Sequence, residues 1–408
     1  MSEIAIINFQ SSNASVIDLQ NHVTLGSYKN SSAKRNNVTL LKDELLLIGD
    51  SAKALLHTFH LKKWEEELSC KIVLPAKPNA VAASRDGCFV AIAMGSDVMV
   101  WQPAMNLFVK CPKTHYQQVT IVRFTKEGSH FITAGDDGMI VLWHLTKVLS
   151  NDEQLMKTCS HVFSDHQLPI TDINVSADFY ESSLISTSMD RTCRIYDLNS
   201  KATLLKIVFE SVMCVAIFSD TKHCAFLGDT NGNIFKVILT NFKPYTNEVF
   251  ENQMKDLNKF APVHKKEITS LAMMACNLRL VSGSSDKLVV IWNSEGQALK
   301  VLQQTSEVTN ITVMFASCLE YDKEGCLENT IKTMNRVKCD LSNPNMELQC
   351  PRQFGYYDFF IKEEVTPASS SYDNKLEEEN LKLKKANAEL FEYCKLLLDM
   401  KNDKSEDK

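Results

Sequence analysis

The chain has 408 residues, 44% of them hydrophobic, which is enough to bury a sizeable core in one large domain with an appendage. Its formal charge is −6, with lysines and arginines scattered along the chain, which excludes the basic footprint of a protein that grips a nucleic-acid backbone. Thirteen cysteines, odd in number and nowhere spaced as CxxC, argue against a disulfide framework and a zinc site, and for a reducing compartment.

The opening MSEIAIINFQSSNAS carries neither the basic region nor the apolar run of an export signal. No later stretch approaches the roughly 18 apolar residues of a membrane span, so cytosol or nucleus is expected. VTLLKDELLLIGDSAKALLHTFH (38–60) reads as the strands of a first sheet, and 70–102, ending in VAIAMGSDVMVWQ, as a second. Residues 111–145 form a third unit, 159–198 a fourth, 203–239 a fifth and 262–294 a sixth. QALKVLQQTSEVTNITVMF begins a seventh, whose remaining strands are expected from 318–360 and from EIAIINF at the N terminus, closing a ring. Seven units is the count, with six and eight left open because the first and last carry no polar signature.

Three of these units align without gaps: ITAGDDGMIVLWHL (132–145), ISTSMDRTCRIYDL (185–198) and VSGSSDKLVVIWNS (281–294). Each places a hydroxyl ten residues before an aromatic and an aspartate six before it: Thr133, Asp137 and Trp143; Ser186, Asp190 and Tyr196; Ser282, Asp286 and Trp292. A histidine opens the first strand of each unit, namely His115, His166 and His264. His115, Thr133 and Asp137 are also the residue types of a hydroxyl nucleophile. A catalytic set is normally built once, whereas this one recurs at the period of about 40–45 residues that marks a four-stranded propeller blade. The quartets are therefore expected to brace the sheets, with no catalytic residue, metal or cofactor. SSDK (284–287) is a chance SxxK match in a tight turn.

The pattern resembles WD repeats, in which such residues link the strands of a blade. The fold expected is an all-β, seven-bladed propeller over 1–360, with insertions at about 240–263 and 319–360. The first insertion, TNFKPYTNEVFENQMKDLNKFAPV, reads equally as a disordered loop or a docking segment. PRQFGYYDFFIKEE (351–364) is rich enough in aromatics to pack on something.

A linker is expected at 361–372, a coiled-coil helix at 373–402 and a disordered tail at 403–408. Leu376, Leu383, Leu390 and Leu397 are spaced seven apart, which puts Asn380, Asn387 and Cys394 at the facing seam position. Asparagine there favours a two-stranded, in-register pairing, so a homodimer is expected, with a single helix lying on the propeller or on a partner, or a higher-order or mixed bundle, as the alternatives.

HYQQVTIVRFTKEGSHFITAGDDGMIVLW, HVFSDHQLPITDINV, SMDRTCRIYDL and ANAELFEYCKLLL resemble the family of WD repeat-containing protein eighteen, the WD-repeat subunit of the Rix complex, or rixosome. The resemblance runs from about residue 40 to 400 and is weakest over 300–370. It implies a non-enzymatic scaffold of the nucleolus and nucleoplasm, partly cytoplasmic, acting in large ribosomal subunit maturation and removal of the internal rRNA spacer. The partners it implies are a proline-, glutamate- and leucine-rich scaffold protein, a HEAT-repeat subunit, and the AAA ATPase midasin at the pre-60S particle. It also admits an adaptor role in chromatin-linked RNA turnover. Direct RNA contact, for instance through Lys62, Lys63, Lys265 and Lys266, is a further alternative, with indirect contact expected. The fifth unit lacks the histidine and has Leu227 at the hydroxyl position, so no polar network is expected there.

Overall fold

The computed structural model describes residues 3–315, except 12, 43–44, 62–71, 106, 151–158, 177–182, 220–223, 240–245, 254–256 and 275–278. The insertion at 319–360, the linker, the heptad segment with its seven named seam residues, and Lys62 and Lys63 all lie outside the described residues.

Seven sheets, antiparallel throughout their four core strands, form the seven blades of a ring. Blade 1 comprises Val38–Leu41, Leu45–Gly49, Leu55–His60 and Ile72–Val73, and blade 2 Ala80–Ala83, Val90–Met94, Asp97–Gln102 and Leu107–Lys110. Blade 3 contains Val119–Phe124, His130–Gly135, Ile140–His144 and His161–Phe163, with the short helix Leu145–Leu149 before its last strand. Blade 4 runs through Ile170–Val175, Ser183–Ser188, Thr192–Asp197 and Ala202–Val208, and blade 5 through Met213–Phe218, Cys224–Asp229, Ile234–Ile238 and Leu257–Lys259. Blade 6 is Ile268–Met273, Arg279–Ser284, Leu288–Asn293 and Ala298–Gln303. From blade 1 round to blade 7, the innermost strand of each blade packs against that of the next, so these strands line the axis.

Blade 7 joins the two ends of the described chain. Val308–Phe315 is its innermost strand, and Glu3–Phe9, Ala14–Asp18 and Thr24–Tyr28 supply the other three. The closure pairs Glu3 with Phe315 through to Phe9 with Val308. From the sequence, EIAIINF is expected to supply one of these strands and 318–360 the rest; the N-terminal segment instead fills all three outer positions. The outermost strands were also misassigned, because Ile72–Val73, His161–Phe163 and Ala298–Gln303 each close the blade before the unit they were grouped with. These strands are short or exposed at the rim, so their sequences carry little apolar signal.

One apolar cluster fills each interface between neighbouring blades. Both faces of an inner strand are therefore buried, and the strand reads as a continuous apolar run instead of alternating. EIAIINF is buried at every position: Ile4 and Ile6 pack toward blade 1, while Ala5 and Ile7 pack toward blade 6.

The 240–263 insertion is ordered where described. Thr246–Phe250 adds a fifth strand, parallel to Ala202–Val208 at the rim of blade 4, and Leu257–Lys259 completes blade 5. Lys206 pairs with Glu248, and the Glu210 N–H donates to Glu251 at 2.9 Å, which fixes this added strand.

Candidate functional site

In blade 3, His115 Nδ1 lies 2.9 Å from Asp137 and its Nε2 lies 2.8 Å from Thr133 Oγ1. Trp143 Nε1–H donates to the same hydroxyl at 3.0 Å. Blade 6 repeats this arrangement: His264 sits 3.1 Å from Asp286 and 2.7 Å from Ser282, and Trp292 donates to Ser282 at 2.7 Å. Blade 4 brings His166 to 2.9 Å from Asp190 and 2.6 Å from Ser186.

With a neutral imidazole, one proton arrangement satisfies every group in blades 3 and 6. The indole N–H donates to the hydroxyl oxygen, the hydroxyl donates to Nε2, and the Nδ1–H donates to the carboxylate. This is also the donor order of a hydroxyl-His-Asp nucleophile. Access separates the two: the Thr133 and Ser282 residues are 0% exposed and each hydroxyl is already claimed by an indole, so no substrate carbonyl can reach it.

The aspartates do further work on the backbone. Asp137 accepts N–H groups from Tyr116 and Met139, both at 3.1 Å, and Asp286 accepts from Lys265 and Leu288, both at 3.0 Å. Each carboxylate thus clips the loop before its blade's first strand to the turn between the second and third strands. Burial pushes the Asp137 carboxyl up, but the His115 hydrogen bond and charge and the two N–H donors outweigh it and hold the group below the usual range. Asp190 is lowered furthest: burial opposes, while hydrogen bonds from His166 and Thr192 dominate. Burial depresses His264 against the pull of Asp286, consistent with a neutral ring.

Those turns need a left-handed residue directly after the aspartate, supplied by Gly138 (φ +71°), Arg191 (φ 61°) and Lys287 (φ 69°). At Gly138 a Cβ would stand 2.7 Å from the His166 carbonyl oxygen of the next blade, so the close approach of blades 3 and 4 also requires glycine.

Tyr196 occupies the aromatic position of blade 4 without joining its chain. Its ring packs on Phe163 at 4.7 Å, and its buried hydroxyl finds no hydrogen-bond partner among the described residues. Thr192 instead extends the blade 4 network, donating to Asp190 at 2.6 Å. The converse occurs in blade 2: Trp101 stacks on Phe108 at 5.8 Å, but Ile92 stands at the hydroxyl position and the indole N–H has no partner among the described residues.

Blade 5 departs from expectation by carrying a polar network of its own. Asp229, 0% exposed, accepts the Ser211 hydroxyl at 2.9 Å, the Asn233 amide at 2.8 Å, and the N–H groups of Asn231 and Asn233. Its carboxylate lies two residues after Leu227, whereas Asp137 lies four after Thr133, and a serine replaces the histidine. The shifted carboxylate therefore falls outside the spacing shared by blades 3, 4 and 6.

A second set also escaped the sequence reading. Each register shift in the inner strands of blades 3, 4, 5, 6 and 7 leaves one residue bulged: Thr120, Thr171, Cys214, Thr269 and Thr309. Thr171 donates to the Met213 carbonyl and Thr269 to the Val308 carbonyl, both at 2.7 Å, tying blade 4 to blade 5 and blade 6 to blade 7 at the axis. The signal was present, because a threonine follows each of His115, His166 and His264 by five residues.

Seven closed blades with recurring His, Ser/Thr, Asp and Trp networks define a WD-repeat β-propeller. The family model for the WD domain, G-beta repeat, matches residues 107–144, 157–197 and 255–293. These spans start in one blade's outermost region and end in the third strand of blades 3, 4 and 6, the blades with a histidine network.

The chain is 26% identical over 302 residues to human WD repeat-containing protein 18, covering 74% of this chain and 69% of that protein. It is 22% identical over 305 residues to the pre-rRNA-processing protein pro-1 of Caenorhabditis elegans, covering 72% and 57%. It is 26% identical over 190 residues to the pre-rRNA-processing protein IPI3 of Mycosarcoma maydis, covering 43% and 32%. The family this chain resembles is therefore that of WD repeat-containing protein 18.

Proposed function

We propose that this chain is a non-enzymatic scaffold in maturation of the large ribosomal subunit, acting within a Rix-type complex in the nucleolus and nucleoplasm. The observation that carries this reading is similarity over about three quarters of the chain to WD repeat-containing protein 18, together with relatives named for pre-rRNA processing. The architecture supports it physically: polar groups with catalytic chemistry are spent inside the blades, leaving loops and rim as the working surface. In this reading a proline-, glutamate- and leucine-rich protein and a HEAT-repeat subunit dock on the propeller, and midasin engages the assembled complex on the pre-60S particle. RNA contact is made through these partners.

The heptad leucines Leu376, Leu383, Leu390 and Leu397, with Asn380, Asn387 and Cys394 between them, join two copies through a paired helix. Co-purification of the tagged full chain from nuclear extract tests the scaffold role. Recovery with pre-60S particles and Rix-type subunits is expected; recovery as a lone protein free of pre-rRNA particles overturns it.

A further inference from the structure

The axis of the ring holds a polar cavity of about 190 Å³, walled by the innermost strands of six of the seven blades and by the link from blade 7 to blade 1. That volume is below the roughly 300–1,000 Å³ of sites for drug-sized ligands and suits an ion or a single functional group. Three charged side chains line it: Arg35 from the link, Arg123 from blade 3 and Asp172 from blade 4. They leave one positive charge in excess.

The arrangement differs from a closed ion pair. Asp172 lies 3.7 Å from Arg35 and 3.6 Å from Arg123, beyond the 2.7–2.9 Å of a charge-assisted hydrogen bond, and neither contact is the bidentate fork that arginine makes with a committed carboxylate. Asp172 instead accepts the Ala216 N–H at 3.2 Å. Arg123 donates to the Val122 carbonyl at 3.2 Å and to Asn36 Oδ1 at 2.8 Å, and Arg35 reaches across the ring to the Cys214 carbonyl. Each guanidinium carries five N–H groups, so these bonds leave donors unspent on both. The Arg35 and Arg123 side chains are 29% and 32% exposed while Asp172 is 6% exposed, so what the cavity presents to solvent is cationic.

We propose that the axial cavity is a binding site for a small oxyanion, held between Arg35 and Arg123 with Asp172 limiting its affinity. The shared chemistry is a planar or tetrahedral oxyanion, delivered either as free phosphate or as a carboxylate.

The test is calorimetric titration of the full chain with inorganic phosphate, and separately with acetate, at ionic strength fixed with chloride. Saturable one-site binding of phosphate is expected, with a rise in melting temperature as phosphate increases. Binding of acetate alone also supports the site and assigns it a carboxylate. Arg123→Gln should weaken binding roughly tenfold or more, the effect of losing hydrogen bonds to a charged group. Asp172→Asn should strengthen it, because the competing negative charge is gone. The Asp172→Asn result stands even if Arg123→Gln fails to fold, and a purely structural role for the trio gives no such gain. Absence of saturation with either anion, retained affinity in folded Arg123→Gln, or unchanged or weaker affinity in Asp172→Asn overturns the proposal.

Discussion

Blade 6 and blade 2 build the same four-stranded sheet from different interiors. In blade 6, His264, Ser282, Asp286 and Trp292 form one hydrogen-bonded chain from the entering loop to the third strand. In blade 2 the same depth is filled by Val81, Ile92 and Trp101, and the indole N–H goes without a partner among the described residues. Apolar burial on two faces is thus sufficient to form a blade. What the network adds is position: its aspartate clips the loop before the first strand to the turn between the second and third, which a blade of aliphatic side chains leaves to backbone contacts alone. Blade 7 lies at the far end of this contrast, a sheet whose register is set by pairing the two ends of the described chain.

The contrast can be broken most severely at that closure. Deleting residues 1–31 removes three of the four strands of blade 7 and uncovers the apolar faces of blades 6 and 1. Loss of the cooperative unfolding transition and aggregation on gel filtration are expected; a monomeric, cooperatively folded product would show that an open ring suffices.

Within blade 6, Asp286→Ala leaves His264 buried without its acceptor and releases two backbone N–H groups. A loss of about 3 kcal/mol is expected in equilibrium urea unfolding, from one ring N–H and two backbone N–H groups left without an acceptor. A loss below about 1 kcal/mol would mean that blade 6 is held as blade 2 is.

A sharper version compares two tryptophans. Trp143→Phe and Trp101→Phe remove similar volume, but only the first removes a hydrogen bond, from Nε1–H to Thr133. Trp143→Phe should be the more costly by about 1 kcal/mol, the net value of one such bond. Equal losses would remove the energetic distinction between the blades.

The smallest effect is on pH dependence. Asp137, Asp190 and Asp286 all have folded values below the ordinary 3.8, so their contribution is present above that value and fades as pH falls through the folded values. His264 has a folded value below 6.5, so its contribution is present above 6.5 and declines below it, as the unfolded chain takes up protons first. Asp190→Asn should be less stable than the parent at pH 7 yet lose less stability between about pH 5 and 3, because the group whose protonation drives that loss is gone. Parallel stability curves for the two proteins would contradict this.

The same contrast explains what was legible in the sequence. His115, Thr133, Asp137 and Trp143 could be read because a buried polar chain admits few residue types at fixed separations, and three copies exposed the period. The apolar blades tolerate any side chain of suitable volume, so Ile92 and Leu227 gave only a strand rhythm. Asp229 went unseen because its network solves the same problem with a shifted carboxylate. Thr171 and Thr269 recur as regularly as the histidines, but a bulged threonine bonding the next blade has no meaning until the ring is closed. Arg35, Arg123 and Asp172 are far apart in the chain and meet only at the axis. The outer strands were assigned to the wrong units because rim positions such as Leu299 and Val301, half exposed, carry no alternation that separates one blade's end from the next blade's start.

The most direct test of the claim that the quartets brace the ring is His115→Ala, followed by urea unfolding and by recovery of pre-60S particles below the melting temperature. A bracing role predicts a stability loss of about 2–3 kcal/mol from stranding Asp137 and Thr133, with particle recovery retained by the folded fraction. Unchanged stability together with lost recovery would contradict it, by making His115 a working residue and not a structural one.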